Sequence, residues 1–239
     1  STSRSSLGCS NKSITFNNKF KNNVELEWWK KPREEIFASP KNGPNAGKIL
    51  FFGGCWDNRL KYCWIGSTPF SGPYNMPNDA TFNDIVTCLS FAEDGLTLGV
   101  GSLDCSIQIW NIGNPVARNL IDRKMNLLHI LVGHDGAITG VCLSVKLDIA
   151  VSSSVDHFIL IHTLTNGQLL RSIAHPSAMK WNNVWLMGIN KGEILGYSKE
   201  DKKLRLYSSN GDELMKSSTD NIKSLAISEN GETLITGGD

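Results

Sequence analysis

The sequence has no apolar stretch longer than a single strand, which excludes a membrane-spanning helix of about 20 apolar residues. Neither sign of charge dominates, because the chain has 24 basic and 23 acidic residues, and no basic stripe predicts nucleic-acid binding. The six cysteines form no Cys-x-x-Cys pair, so no zinc or redox motif is predicted. Residues 1–13 are polar and serine-rich, unlike a signal peptide. We therefore expect a reducing, cytosolic setting and no nucleic-acid partner.

The pattern that organises the chain is clearest between Gly133 and Leu164. Three apolar runs, 138–145, 147–151 and 158–164, are rich in β-branched residues and separated by short polar breaks, as expected of antiparallel strands. Gly-His opens the unit, and three serines and Asp156 precede the third run. This order within about 40 residues is typical of a WD repeat, which forms one four-stranded blade of a β-propeller.

The unit recurs along the chain. The aspartates of the predicted turns lie roughly 40 to 50 residues apart, at positions 57, 104, 156, 201 and 239. Asn166-Gly167 and Asn210-Gly211 predict tight turns before outer strands. The sequence therefore predicts an all-β fold, a WD-repeat β-propeller that forms an incomplete arc of about four to five four-stranded antiparallel blades.

Two regions differ in how well they fit the repeat. Residues 1–47 match poorly; they contain candidate strands at 14–16 and 24–29 and are consistent with a degenerate blade plus a loop. Residues 48–239 form the propeller portion, and its last copy ends at Gly237-Gly238-Asp239, which the repeat predicts to be a turn. We expect a fragment truncated within its last blade, because a propeller closes by joining its last blade to its first.

A hydrogen-bond network is predicted within each blade. A histidine before the first strand would bond to a hydroxyl on the second strand and to the turn aspartate, and an indole on the third strand would complete the set. No copy contains every member: His162 replaces the tryptophan in one copy, and Phe82 replaces the histidine in another. The positions assigned a structural role are His134, Ser152, Asp156, Asp104, Trp110, Asp57 and Asp201.

Catalytic motifs are missing or incomplete. Residues 43–48, GPNAGK, resemble a phosphate-binding loop, but the glycines are one residue too close and Ile49 replaces the Ser or Thr that would bind Mg²⁺. His134 with an aspartate could form half of a catalytic dyad, but the repeat already accounts for this pair. We predict no catalytic residue, no cofactor site and no metal site.

A binding surface is expected on the loops before the first strands and at the aspartate turns. Trp181, next to Lys180, precedes a strand, so we expect it to be exposed and to anchor a protein partner. Trp185 lies within a strand and is expected in the core. A phosphoinositide-binding propeller is a less favoured alternative, because Arg171 and Arg205 each stand alone.

The repeat region resembles the WD-repeat part of BEACH-domain proteins of the neurobeachin and lipopolysaccharide-responsive beige-like anchor group. The likeness covers residues 48–239 in order and includes the degenerate copy from Trp181 to Lys216. It is carried by residues 52–58 (FGGCWDN), 84–89 (DIVTCL), 133–135 (GHD), 165–171 (TNGQLLR), 209–211 (SNG) and 234–239 (LITGGD). Thr81-Phe82 departs from the family pattern, where Gly-His is found.

The resemblance implies a non-catalytic scaffold that acts in vesicle trafficking and protein sorting. It implies a cytoplasmic protein, peripherally associated with endomembranes in an indirect way. The expected partners are other proteins, the remainder of its own propeller and a BEACH domain. A WD-repeat adaptor of another cytosolic complex is the alternative.

Overall fold

A computed structural model describes residues 36–53, 58–64, 71–76, 82–113, 124–187, 192–228 and 233–238. The chain divides into two units, residues 1–32 and 33–239, and every described residue belongs to the second. The candidate strands at 14–16 and 24–29, and the predicted turn residues Asp57 and Asp239, lie outside the described ranges. Within those ranges every regular element is a β-strand.

The strands form five sheets, named A to E in chain order. Sheet A contains β1 (Ile36–Ala38), β2 (Ile49–Gly53), β3 (Lys61–Trp64) and β4 (Ser71–Asn75). Sheet B contains β5 (Val86–Phe91), β6 (Thr97–Ser102), β7 (Ile107–Asn111) and β8 (Asn126–Leu131). Sheet C contains β9 (Ile138–Ser144), β10 (Ile149–Ser154), β11 (Phe158–Thr163) and β12 (Leu169–Ala174). Sheet D contains β13 (Asn183–Met187), β14 (Glu193–Ser198), β15 (Lys203–Tyr207) and β16 (Glu213–Ser218), and sheet E contains β17 (Ile222–Ile227) and β18 (Leu234–Gly238).

Within each sheet, every strand pairs antiparallel with the next strand along the chain, so the four-stranded sheets are simple meanders. This confirms the predicted all-β class and the antiparallel four-stranded units. Sheet E has two described strands, and among the described strands no pairing joins sheet E to sheet A to close a ring. Strand β1 comes from the poorly matching segment 1–47 and pairs with β2, so part of that segment belongs to sheet A.

Two strand boundaries differ from the prediction. Residues 152–154, the three serines expected to end the second run of sheet C, lie inside β10 and are buried. Their small hydroxyls bond to neighbouring groups, so they extend the strand instead of breaking it. Gly237 and Gly238, predicted to form a turn, lie inside β18 and pair with β17.

The middle strands of sheets B, C and D are largely apolar on both faces because each of these sheets has a neighbour on both sides. In β6, Leu98 and Val100 pack with the residues of sheet A. Gly99, the residue between them, faces sheet C, where a Cβ would lie 3.1 Å from Leu143. Alternate residues of a strand point to opposite faces, so a sheet covered on both sides needs a nearly continuous apolar run.

The core is a series of apolar layers between successive sheets. One layer joins sheets A and B around Phe51 and Trp110, a second joins B and C around Ile107 and Ile138, and a third joins C and D around Trp181. A fourth, thinner layer joins sheets D and E. The Glu93 carboxylate adds a polar link, because it accepts hydrogen bonds from the β9–β10 turn of the next sheet.

The outer strands of sheets B, C and D share a register shift at equivalent positions. The unpaired residue at each shift is a leucine, Leu128, Leu170 or Leu214, and these are 41%, 55% and 53% exposed. Such bulges interrupt the ladder of an edge strand and discourage pairing with another chain.

Candidate functional site

The turns between the second and third strands carry the predicted aspartates in phase. Asp104, Asp156 and Asp201 are each followed by a residue with positive φ: 68° at Cys105, 75° at His157 and 52° at Lys202. In sheets B and C the carboxylate accepts the backbone N–H two residues further on, at 2.9 Å in both cases. The aspartate therefore closes a tight turn in these two sheets.

Sheet C holds the most complete network. His134 Nδ1 lies 2.7 Å from the Asp156 carboxylate, and His134 Nε2 lies 3.0 Å from the Ser152 hydroxyl. Because a carboxylate only accepts, Nδ1 carries the proton and Nε2 accepts from the serine. Burial lowers the pKa of His134 although Asp156 acts in the opposite direction, so the ring is neutral near pH 7.

The network stops at the third strand of sheet C. His162 takes the place where an indole would donate to the serine, but its Nε2 donates instead to the Val132 carbonyl at 3.2 Å. Its Nδ1 is buried without a hydrogen-bond partner. The set is incomplete, as the residue types at these positions predict, and it ends at His162.

Sheet B satisfies the same positions in another way. Phe82 is buried where the histidine would lie, and Asp104 retains only the hydrogen bond from the backbone N–H of the next residue, Asn83, at 2.9 Å on this side of the turn. Trp110 is 1% exposed, and its indole N–H donates to the Gln108 side chain at 3.0 Å. Trp110 therefore contributes packing, and its hydrogen bond stays within the third strand.

Sheet D contains a buried charged cluster that the sequence analysis missed. The Arg205 side chain is 4% exposed; it lies 2.5 Å from the Asp201 carboxylate, 3.1 Å from His175 Nε2 and 3.5 Å from the Glu213 carboxylate. Burial alone would raise the pKa of Asp201, but the hydrogen bond and charge of Arg205 outweigh it and the pKa lies below its usual value. Burial and Arg205 together lower the pKa of His175.

This cluster replaces the neutral network of sheet C. Tyr207 occupies the tryptophan position and is buried; burial first, and Glu213 second, raise its pKa to about 12. Arg205 lies two residues before Tyr207 in β15, and no signal in the sequence distinguishes it from an exposed arginine of a strand.

The expectation that Trp181 is exposed is wrong. Its side chain is 0% exposed, and its ring packs directly on Gly196. A Cβ added at Gly196 would lie 2.6 Å from the Trp181 ring. Its indole N–H donates to the His157 carbonyl at 3.1 Å. The small residue opposite makes room for the indole between sheets C and D. Lys180, its neighbour, is 44% exposed and lies 3.3 Å from the Glu200 carboxylate.

Trp185 is the more accessible of the two tryptophans. It is half-buried and packs against the layer between sheets D and E, although a core position was expected for it. It lines a cleft of about 330 Å³ together with Asn182, Asn183, Tyr197, Lys199, Ile222 and Leu225. Trp185 is therefore better placed than Trp181 to contact a partner.

The segment that resembles a phosphate-binding loop has a structural role. Asn45 is fully buried, and its side-chain amide donates to the Gly113 carbonyl at 2.8 Å. Gly43 approaches the backbone of Asp94 so closely that a Cβ would lie 2.2 Å from the carbonyl oxygen. The segment links sheets A and B.

The described residues contain no group of three or more His, Cys, Asp or Glu placed to bind a metal, and no helix of membrane-spanning length and apolarity.

Consecutive antiparallel sheets stacked in layers, with turn carboxylates in the same phase, define a β-propeller built of WD-type blades. The chain belongs to the neurobeachin β-propeller family. The family model described as the neurobeachin β-propeller domain matches residues 43–239, which confirms the resemblance to BEACH-type proteins.

Three curated relatives of similar sequence support this assignment. BEACH domain-containing protein B of Arabidopsis thaliana is 35% identical over 170 residues, which is 65% of this chain and 6% of the relative. BEACH domain-containing protein lvsE of Dictyostelium discoideum is 24% identical over 80% of this chain and 9% of its own length. A putative neurobeachin homolog of Caenorhabditis briggsae is 27% identical over 64% and 6%. The chain thus spans less than a tenth of each relative.

Among solved structures, the computationally designed Ika8 protein superposes with a TM-score of 0.62. The sequences are 22% identical, and the match covers 84% of this chain and 54% of the designed protein. At this identity the likeness concerns the fold alone.

Proposed function

We propose that the chain is the propeller portion of a BEACH-type protein and acts as a non-catalytic scaffold for protein–protein interactions in vesicle trafficking and protein sorting. In this proposal the protein is cytoplasmic and reaches endomembranes peripherally, through its partners. A BEACH domain and further propeller strands in the same protein complete the scaffold.

One observation supports the non-catalytic role most strongly. The His134–Asp156 pair is the arrangement closest to a catalytic dyad, yet His134 is 6% exposed and both ring nitrogens are engaged within sheet C. A general base needs access to the proton that it removes, and this imidazole has none. The pair therefore stabilises the fold, and function is left to the surfaces of the sheets.

The phosphoinositide-binding alternative is weakened by Arg205. This side chain is buried and paired with Asp201, so it is not available to a lipid headgroup. Vesicles that contain phosphoinositides should therefore bind the chain no better than vesicles of phosphatidylcholine.

Affinity capture from cell extract, followed by mass spectrometry, tests the proposed function. The bait is the 239-residue chain, and the matched control is the designed Ika8 protein, which is similar in fold at 22% sequence identity. We expect proteins of vesicle coats and sorting complexes to be enriched on the chain alone. Equal enrichment on both baits, or enrichment of an unrelated cytosolic complex, would contradict the proposal.

A further inference from the structure

The cleft between sheets D and E exists because one side chain keeps the two sheets apart. Gly101, Ser153 and Tyr197 are the penultimate residues of β6, β10 and β14, the second strands of sheets B, C and D. At this position Gly101 faces Ile138 of β9, and Tyr197 bonds to Ile222 of β17. The size of this residue therefore controls how closely the next sheet can approach.

Small residues allow a close approach in the first two cases. A Cβ on Gly101 would lie 2.6 Å from the Ile138 side chain at the start of β9. Ser153 pairs with Gly140, and a Cβ on Gly140 would lie 2.9 Å from the backbone nitrogen of Val184 in β13. A larger residue would therefore collide with a side chain of the next sheet at Gly101 and with its backbone at Gly140.

Tyr197 changes the third case. Its phenol oxygen accepts a hydrogen bond from the backbone N–H of Ile222, the first residue of β17, at 3.0 Å. The ring, only 3% exposed, therefore lies between β14 and β17 and holds the first strand of sheet E at the distance of a tyrosine side chain. The cleft is a consequence of this spacing.

The polar groups of the cleft are hydrogen-bond donors. The Asn182 side-chain oxygen accepts from the Lys199 backbone N–H at 2.7 Å, and the Asn183 oxygen accepts from the Val184 N–H at 2.8 Å. With both oxygens engaged, the amide NH₂ groups remain as donors. The Lys199 ammonium adds a positive charge.

The charges around the cleft favour an anionic ligand. None of the seven lining residues, all of them described, is acidic. The two carboxylates that follow Lys199 along the chain are paired with other cations: Glu200 with Lys180, and Asp201 with Arg205. The opposite wall is apolar, formed by Trp185, Ile222 and Leu225.

We propose that this cleft binds an acidic segment of a partner protein in extended conformation. The carboxylate of an aspartate or glutamate lies at Lys199 and Asn182, and an adjacent apolar side chain packs on Trp185 and Leu225. The volume of about 330 Å³ accommodates one or two side chains, at the lower end of the range for binding pockets. The proposal rests on the scaffold function and names the chemistry of one partner segment.

Synthetic peptides test the cleft without any cell extract. Fluorescein-labelled peptide pools of about eight residues carry a central Asp-Leu, Asn-Leu or Lys-Leu, and fluorescence anisotropy measures their binding to the 239-residue chain. We expect the Asp-Leu pool to bind about tenfold tighter than the Asn-Leu pool. We expect Lys199→Glu to weaken that binding by about tenfold and to favour the Lys-Leu pool.

Lys216→Glu is the matched control. Lys216 is exposed on the outer strand β16, away from the cleft, and its substitution changes the net charge by the same amount as Lys199→Glu. It should leave binding of the Asp-Leu pool within about twofold of the unmodified chain, and melting temperatures verify that both variants fold.

Equal weakening by the two substitutions, or no saturable binding of the Asp-Leu pool, would overturn the proposal. Lys199-dependent binding to phosphatidylserine vesicles without peptide binding would overturn it in favour of a membrane. Peptide binding without enrichment in the capture experiment would contradict the trafficking scaffold but not the cleft.

Discussion

Sheets C and D have the same strand order and an aspartate at the same turn position. The carboxylate is stabilised by neutral hydrogen-bond donors in sheet C and by a cation in sheet D. In sheet C, Asp156 accepts from a neutral histidine and from two backbone N–H groups. In sheet D, Asp201 pairs with the buried Arg205 guanidinium, and one of its oxygens has no hydrogen-bond partner. The blade architecture therefore tolerates either a neutral or an ionic centre.

The difference between these sheets shows which features determine the fold. Apolar layers and the positive-φ turn are present in both, whereas the polar network changes from one sheet to the other. The difference also extends to the neighbouring sheet. Sheet C has Ser153 where sheet D has Tyr197, and the cleft lined by Trp185 follows sheet D.

Removing the indole between the two sheets should have the largest effect. Trp181→Ala should lower the free energy of unfolding by about 3–5 kcal/mol, because it leaves a cavity beside Gly196 and removes a buried hydrogen bond. Trp185→Ala, at a half-buried position, should cost less than half as much. Urea denaturation measures both. Equal losses of unfolding free energy would contradict the assignment of Trp181 to the core and of Trp185 to the cleft.

Removing the ionic centre of sheet D should have a comparable or slightly smaller effect. Arg205→Met leaves the buried Asp201 carboxylate without its cation, and we expect a loss of about 3 kcal/mol or more. Lys180→Met breaks an exposed pair with Glu200 and serves as the control, with an expected change below about 1 kcal/mol. Similar urea midpoints for the two variants would be incompatible with a buried ion pair.

Replacing the histidine of sheet C with the phenylalanine that sheet B has at the same position should have an intermediate effect on the free energy of unfolding. His134→Phe, which copies Phe82, leaves the Ser152 hydroxyl buried without its partner and should cost about 1–3 kcal/mol. Adding Ser152→Ala should recover part of this loss, because no unsatisfied hydroxyl remains. A double-mutant cycle of unfolding free energies measures the coupling. Strictly additive losses would argue against the hydrogen bond.

The smallest effect should come from pH. Burial lowers the pKa of His134, His162 and His175, so each is held neutral in the folded state. The unfolded chain binds these protons near pH 6.5; the stabilisation is therefore complete above that pH and is lost progressively as the pH falls below it. The lowered pKa of Asp201 acts in the same direction, but only below its ordinary value of 3.8.

Thermal melting at pH values of about 7.5 and 5.5 measures this dependence. We expect a lower melting temperature at the acidic pH and a smaller drop in His175→Gln. A melting temperature that rises on acidification would show that the histidines are charged in the folded state.

The repeat could be predicted because its signals are local. Apolar runs, Asn-Gly turns and aspartates such as Asp104 and Asp156 each act within a few residues, and Gly167 and Gly211 have the positive φ that their turns require. The incompleteness of the network could also be predicted, because it needs only the identity of residues 82 and 162.

The environment of single side chains could not be predicted in the same way. Trp181 precedes a strand, but its burial depends on Gly196 in β14, which comes from a different part of the chain. The Arg205 cluster and the Tyr197 spacing also depend on packing between sheets. Sequence position alone says nothing about these contacts, and the exposure assigned to Trp181 was wrong for that reason.

In a β-propeller, equivalent sheets are arranged around a common axis. Spin labels introduced as unnatural amino acids at the exposed bulge positions 128, 170 and 214 allow their three distances to be measured by double electron–electron resonance. The propeller arrangement predicts equal distances for 128–170 and 170–214, and a 128–214 distance clearly shorter than their sum. Unequal steps, or three labels on a straight line, would contradict the account.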